Sequence, residues 1–263
     1  MIEAKRRAEP PPSLARTQAY DGDDVKDALE GDFHGKCYLC EGHVGGTFNI
    51  EHLRPKAEKT GFPELRRTWT NLFPAHGQQC NNRRAQWIGK GHATVDGRAV
   101  NWPVGGMLDC AAPDMQIERR LSQWGRFRAV NGPQIFFQAI DPNDTEATNT
   151  AHELTRIHGD TEDDPERHGR TIRGCIHARY TEIQEELTPL IRDYYGKGAG
   201  HLDTREKAAE LRRMLAPDQP YAGVLRGTLR RWLAGEFEPA FITLLGLDLP
   251  PAPAPATPDP PAP

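Results

Sequence analysis

The chain has 263 residues, 37% of them hydrophobic and 27% charged, with a net charge of −4 and a pI near 6.2. That is enough for one large domain or two small ones with a real core, in a soluble globular protein. No apolar run reaches the ~18 residues of a transmembrane helix, and the N-terminus MIEAKRRAEPPPSLA lacks the apolar stretch of a secretory signal. No membrane partner and a cytoplasmic location are therefore expected. There the five cysteines (Cys37, Cys40, Cys80, Cys110, Cys175) stay reduced, which favours metal or structural roles over disulfides.

Residues 1–20 are polar, contain Pro10-Pro11-Pro12 and read as an extended arm. The Asp21-Gly22 step turns the chain into a short helix over Asp24–Leu29, with Asp23 as its candidate N-cap. Between Lys36 and Lys56 short apolar runs flank Gly45-Gly46. That pattern suits a hairpin of strands near Cys37–Glu41 and Thr47–His52. After a Pro74–Gly77 loop, Gln79–Trp87 can form a helix, so the order is strand, strand, helix. Residues 91–135 are rich in Gly, Pro and Trp, with β-like runs at Phe127–Val130 and Ile135–Ile140.

From Asp144 the periodicity is helical. Ile176, Tyr180, Ile183, Leu187, Leu190, Ile191 and Tyr194 repeat at three- and four-residue steps and predict one long helix, with Pro189 as the place for a kink. Further helices fit Thr204–Leu215, Tyr221–Leu233 and Pro239–Leu245. From Pro250 the chain carries eight prolines and no core material, which predicts a disordered, polyproline-like tail. The chain divides into an arm (1–20), a domain (21–135), a helical region (136–247) and the tail (248–263).

Charge is unevenly placed. Glu51–Lys90 holds eight Lys/Arg against three Glu, whereas Asp141–His168 holds nine Asp/Glu against two Arg. A basic site can thus sit on an acidic body, which leaves a nucleic-acid partner open despite the negative total.

The chemistry concentrates in 48 residues. Cys37-Tyr38-Leu39-Cys40 is a C-x-x-C knuckle, and His76 and Cys80 follow as H-x-x-x-C. Together they offer a Cys3His set for one tetrahedral Zn²⁺ that would pin hairpin to helix. Cys110, His43 or His92 could replace His76 as the fourth ligand. Glu51-His52 ends the second strand, followed by Leu53-Arg54-Pro55-Lys56, then Trp69-Thr70-Asn71-Leu72, then Cys80-Asn81-Asn82-Arg83-Arg84.

In this order and spacing, CYLCE, IEHLRPKAE, WTNLFPAH and CNNRR resemble the core of the HNH (ββα-metal) endonuclease family. The match covers residues 37–84. The N-terminal segment and helical tail look, more loosely, like the HNH component of Septu-type and retron-associated anti-phage systems, which act beside an ABC-type or SMC-like ATPase. The implied fold is α+β, mostly helical: a zinc-knuckled ββα-metal module followed by a C-terminal helical region. The implied activity is hydrolysis of phosphodiester bonds in DNA, or in RNA, with Mg²⁺ or Mn²⁺.

A neutral imidazole takes a proton from water near pH 7, so His52 is the natural general base. Glu51 is a hard oxygen ligand suited to Mg²⁺. Neighbours on a regular strand face opposite ways, so Glu51 and His52 share a site only if the backbone bends. The resemblance makes Asn81 the second metal ligand, with Asn82 as the competing choice. It gives Asn71 the task of holding the loop that orients His52. Lys56, Arg83 and Arg84 are candidate phosphate contacts, adding affinity without sequence selection. The other reading is a non-catalytic zinc knuckle that binds nucleic acid or a protein. A third makes the helical half an assembly platform for an ATPase.

The remaining features read blandly. Trp69, Phe73 and Trp87 are expected in the core. His152, His158, His168, His177 and His201 are expected at the surface, and Arg119-Arg120 and Arg230-Arg231 in solvent or on a partner.

Overall fold

A computed structural model describes residues 4–16, 19–81, 92–113, 115–127, 133–158 and 168–249, apart from the side chains of residues 78, 79 and 168–170. The architecture is α+β, with more of the chain in helices than in strands. The candidate phosphate contacts Arg83 and Arg84, the alternative ligand Asn82, most of the helix expected over Gln79–Trp87 and the proline-rich tail lie outside the described residues.

The N-terminal segment is not extended throughout. It contains a short helix, α1 (Pro12–Arg16). Arg6 donates to the carbonyls of Trp69 (2.7 Å) and Leu72 (2.8 Å), and its guanidinium lies over the rings of Trp69 and Phe73. Arg7 pairs with Asp32 at 3.0 Å. Polar composition suggested extension, but one arginine can spend its donors on two carbonyls while its flat face covers apolar rings.

Helix α2 (Asp23–Asp32) buries Val25, Ala28, Leu29 and Asp32, the i, i+3, i+4, i+7 stripe of an amphipathic helix. Its N-cap is Gly22, not Asp23. Asp23 sits one place inside, where its charge still favours the helix dipole. The Asp24 carboxylate accepts the Ser13 amide at 2.9 Å, tying α1 to α2.

The expected hairpin is replaced by a different pairing. Cys37–Glu41 is not a strand: Lys36 and His43 form a single bridge, and between them the chain curls so that Gly42 O accepts from Cys37 N and Cys37 O from Glu41 N. Strand β1 (Asn49–His52) instead pairs antiparallel with β2 (Leu72–Ala75), Asn49 opposite Ala75 and His52 opposite Leu72. Tyr38 N donates to Pro74 O at 2.9 Å, so the knuckle lies against the outer edge of β2.

Two more hairpins follow: β3 (His92–Val95) with β4 (Arg98–Pro103), and β5 (Leu121–Arg126) with β6 (Gln134–Ala139). The second matches the run expected at Ile135–Ile140. Its partner strand ends just before Phe127, where the other β-like run was expected, and residues 128–130 of that run lie outside the described residues. A one-turn helix, α3 (Ile117–Arg120), leads into β5.

The helical region holds α4 (Thr145–His158), α5 (His168–Lys197), α6 (Leu202–Met214), α7 (Ala222–Leu233) and α8 (Pro239–Leu244). In α5 the buried stripe Ile172, Ile176, Ile183, Leu187, Leu190 and Tyr194 follows the expected periodicity, and Pro189 lies inside the helix. One contiguous core runs from Leu14 to Leu247.

Some residues expected at the surface are not there. Arg120 pairs with Asp144 (2.7 Å) and Glu146 (2.9 Å). Arg230 shares Glu118 with Arg226, at 2.5 and 2.6 Å. His158 is 1% exposed, packed on the Phe137 ring with Nε2 3.3 Å from the Leu39 carbonyl in the knuckle. His201 does stay exposed, where it caps α6 by accepting from Asp203 N.

Helix α7 lies directly on β5. A Cβ added at Gly227 would come within 1.9 Å of the Gln123 carbonyl oxygen, and one at Gly223 within 2.1 Å of the Gln123 side chain. The Gly125 amide donates to Thr228 Oγ1 at 2.8 Å across the same contact. Gly227→Ala sets helix propensity, worth about 1 kcal/mol in favour of alanine, against overpacking of a backbone that cannot yield, which costs about 1–3 kcal/mol or more. The clash is with main chain, so overpacking wins. The variant should melt at lower temperature and urea concentration than the wild type, and an unchanged melt would refute the close approach.

Candidate functional site

The knuckle, the end of β2 and the turn after it converge on four side chains. Cys37 and Cys40 come from the knuckle, His76 follows β2, and Cys80 lies in a single wide helical turn, Gly77–Asn81. Their ligand atoms all lie within 4.8 Å of one another. The three thiols are buried and His76 is half-buried. Cys40 Sγ is 3.1 Å from His76 Nδ1, and His76 Nε2 is 3.1 Å from the His43 carbonyl. A carbonyl only accepts, so Nε2 carries a proton; Nδ1 faces the sulfurs, donating to the Cys37 thiolate while the ring is protonated and offering its lone pair once a metal takes that proton's place.

Electrostatics agree with that purpose. Burial pushes the Cys37 thiol up, but hydrogen bonds from Cys40, Cys80 and His76 outweigh it and hold Cys37 well below the usual thiol range. The bond to Cys37 holds Cys40 and Cys80 well above that range, and it raises His76. One thiolate is thus stabilised by three neighbours, and a dication would displace the remaining protons. Soft, closely spaced Cys3His donors without an open oxygen side fit tetrahedral Zn²⁺.

Of the candidates for a fourth ligand, His76 is the one whose ring joins the three thiols. Cys110 is buried outside the cluster, where burial raises its thiol. His43 contributes its backbone carbonyl, and the His92 ring bonds Val100 O at 3.2 Å.

His52 closes β1 and is 3% exposed. Its Nε2 is 2.9 Å from the Arg66 carbonyl, which again puts the proton on Nε2 and the lone pair on Nδ1. Asn71 is buried beneath this arrangement. Its Oδ1 accepts from Arg54 N (2.7 Å), its Nδ2 donates to Arg54 O (3.0 Å) and Leu65 O (3.3 Å), and its own carbonyl accepts from Leu53 N (3.0 Å). One side chain therefore ties the segment after β1 to the turn that presents the Arg66 carbonyl.

The β1–β2 register is unbroken through His52. Glu51 and His52 consequently leave the strand on opposite faces, Glu51 half-exposed and His52 buried. Asn81 is half-buried at the end of the wide turn, its amide on the His76 carbonyl at 3.1 Å. That turn borders the opposite end of β1, where a Cβ at Gly77 would lie 3.3 Å from Asn49 Nδ2.

Lys56 does not extend into solvent. It donates to the Tyr20 hydroxyl, with Nζ 3.9 Å from the ring centroid. Tyr20 meets the His52 ring edge-on at 4.7 Å, and the Arg66 guanidinium lies 5.7 Å from Tyr20 on the exposed side. Tyr20 and Arg66 escaped the sequence reading. Tyr20 lies 32 positions before His52 in a segment read as an extended arm, and Arg66 was only one charge in a basic run.

No protein-family model, curated protein or solved structure matches the chain. Among the described residues no helix is long and apolar enough to cross a membrane.

His158 couples this site to pH. Burial, the largest cause, pushes it down to about 4. A buried imidazole kept neutral contributes stability that is fully present above the unfolded value near 6.5 and is lost as pH falls towards 4, at most about 3 kcal/mol. His158→Gln should flatten that part of the stability–pH curve. An identical slope in both proteins, measured by urea unfolding from pH 7 to 4.5, would remove His158 as its cause.

Proposed function

We propose that the protein is a metal-dependent phosphodiesterase of the HNH type, acting on DNA or on RNA. The observation that carries this reading is His52: a buried imidazole, held at Nε2 by a carbonyl that Asn71 positions, beside Lys56 and Arg66. An imidazole fixed in this tautomer keeps a proton acceptor at Nδ1, which is what activating a water requires. Lys56 and Arg66 supply positive charge where a phosphate would lie. The order of the motifs, from the knuckle to Cys80-Asn81, supports the ββα-metal assignment.

In this reading Cys37, Cys40, His76 and Cys80 hold a structural Zn²⁺. Glu51 and Asn81 are half-exposed oxygen donors suited to Mg²⁺ or Mn²⁺, which keep several waters; because Glu51 leaves the regular strand on the face away from His52, an ion held there would serve His52 only once the end of β1 bends. Such an ion would neutralise the phosphate and ease departure of the leaving oxygen. Arg83 and Arg84 would add phosphate contacts. A cytoplasmic place in phage defence beside an ABC- or SMC-like ATPase follows from the motif resemblance and belongs to the same proposal.

One observation favours the non-catalytic alternative: Tyr20 covers His52. Cleavage of plasmid DNA and tRNA, with and without Mg²⁺, by wild type and His52→Ala separates the two. Mg²⁺-dependent cleavage lost in the variant supports catalysis. Cleavage by neither protein across Mg²⁺ and Mn²⁺, or equally by both, overturns it.

A further inference from the structure

A cavity of about 540 Å³ opens between the β5–β6 hairpin, α5 and α7, and shares no residue with the cysteine cluster or the surroundings of His52. Two ring pairs line it. Trp124 stacks on Phe136 at 5.4 Å and 17°, and Phe127 stacks on Tyr180 at 4.2 Å and 30°. Two guanidiniums lie over these rings, Arg231 4.6 Å from Trp124 and Arg126 5.7 Å from Phe136.

Among the described residues no Asp or Glu lines the cavity and neither arginine makes an ion pair. Both arginines are exposed, while the four rings are only half-buried. The contrast with neighbouring Arg230 and Arg226, which consume the Glu118 carboxylate, is direct.

Half-exposed rings and unmatched guanidiniums make opposite demands on a ligand. An acyl chain would satisfy the rings but leave the charges unused. An inorganic anion would satisfy the charges but not the rings. A planar heterocycle carrying a phosphate satisfies both: bases stack on aromatic and guanidinium faces, and phosphate accepts charge-assisted bonds from arginine. The volume lies in the ordinary range for small-ligand sites, about 300–1,000 Å³.

We propose that this cavity binds a nucleotide unit, a stacked base with its phosphate, supplied either as a free nucleotide or within a single strand. The site is independent of the role assigned to His52.

The test is calorimetric titration of the full chain, without added Mg²⁺, using AMP, a ten-nucleotide oligo(dT) and inorganic phosphate. AMP or the oligonucleotide should bind saturably and more tightly than phosphate. Arg126→Ala/Arg231→Ala should weaken that binding about ten-fold or more while leaving the circular dichroism unchanged. Arg231→Glu provides a second variant with a larger expected loss. Preference for AMP identifies a free nucleotide, and preference for the oligonucleotide identifies a strand. No binding of either up to millimolar concentration, equal binding of phosphate, or equal binding by the double variant overturns the proposal.

Discussion

Cys80→Ser should strip the protein of most of its zinc and lower its melting temperature by about 10 °C or more. Cys80 is buried, and its sulfur shares one small volume with Cys37, Cys40 and His76. Serine keeps the size but not the soft thiolate, and structural Zn²⁺ contributes on the order of ten kcal/mol to folding in small domains. Even a fraction of that is large beside a typical total stability of about 5–15 kcal/mol. Cys110→Ser and Cys175→Ser are the controls: one thiol is buried outside the cluster, the other exposed. Metal analysis of the purified proteins should find about one zinc per chain in wild type and both controls. Equal zinc in Cys80→Ser would rule out the ligand set.

His52→Ala should lower cleavage about 10²–10⁴-fold, the range over which a positioned general base acts. Its effect on stability should be smaller. The variant orphans the Arg66 carbonyl, which costs about 1–3 kcal/mol, and leaves every cysteine in place. Zinc content therefore separates a catalytic loss from a folding loss: cleavage should collapse while zinc stays at the wild-type level. Asn71→Ala should reproduce part of the defect from a distance, because its carboxamide fixes the turn that presents the Arg66 carbonyl. Wild-type cleavage by His52→Ala would leave the zinc knuckle as a binding module.

The ligand cluster was legible because spacing alone restricts what a C-x-x-C turn can reach, and long helices were legible because their apolar period repeats many times. Pairings between distant short segments were not. Leu72–Ala75 is four residues with a proline at the third, too short to show a period of two, so nothing local marks it as the partner of β1. Tyr20 reaches His52 only through tertiary packing. His158 is a different case. Ala147, Ala151, Leu154, Ile157 and His158 share one helical face, so its burial was written in the periodicity but hidden by the habit of placing histidine outside. Asn71 was legible as a motif residue, whereas its bonds to Arg54 and Leu65 required the fold.

The knuckle is finished by residues almost two hundred positions away. Lys36, 1% exposed, donates to the carbonyls of Pro217 and Gln219, and Glu41, 2% exposed, accepts the Gly223 amide at 2.9 Å. On a ribosome, chain grows at about 5–20 residues per second, so these two charges wait on the order of ten seconds or more for their partners. Until then the N-terminus of α7 does not yet exist to receive the glutamate. The four Cys/His ligands, all within the first 80 residues, emerge long before. Metal capture can therefore precede closure, and a growing chain can carry an assembled but uncovered knuckle until its last helices arrive.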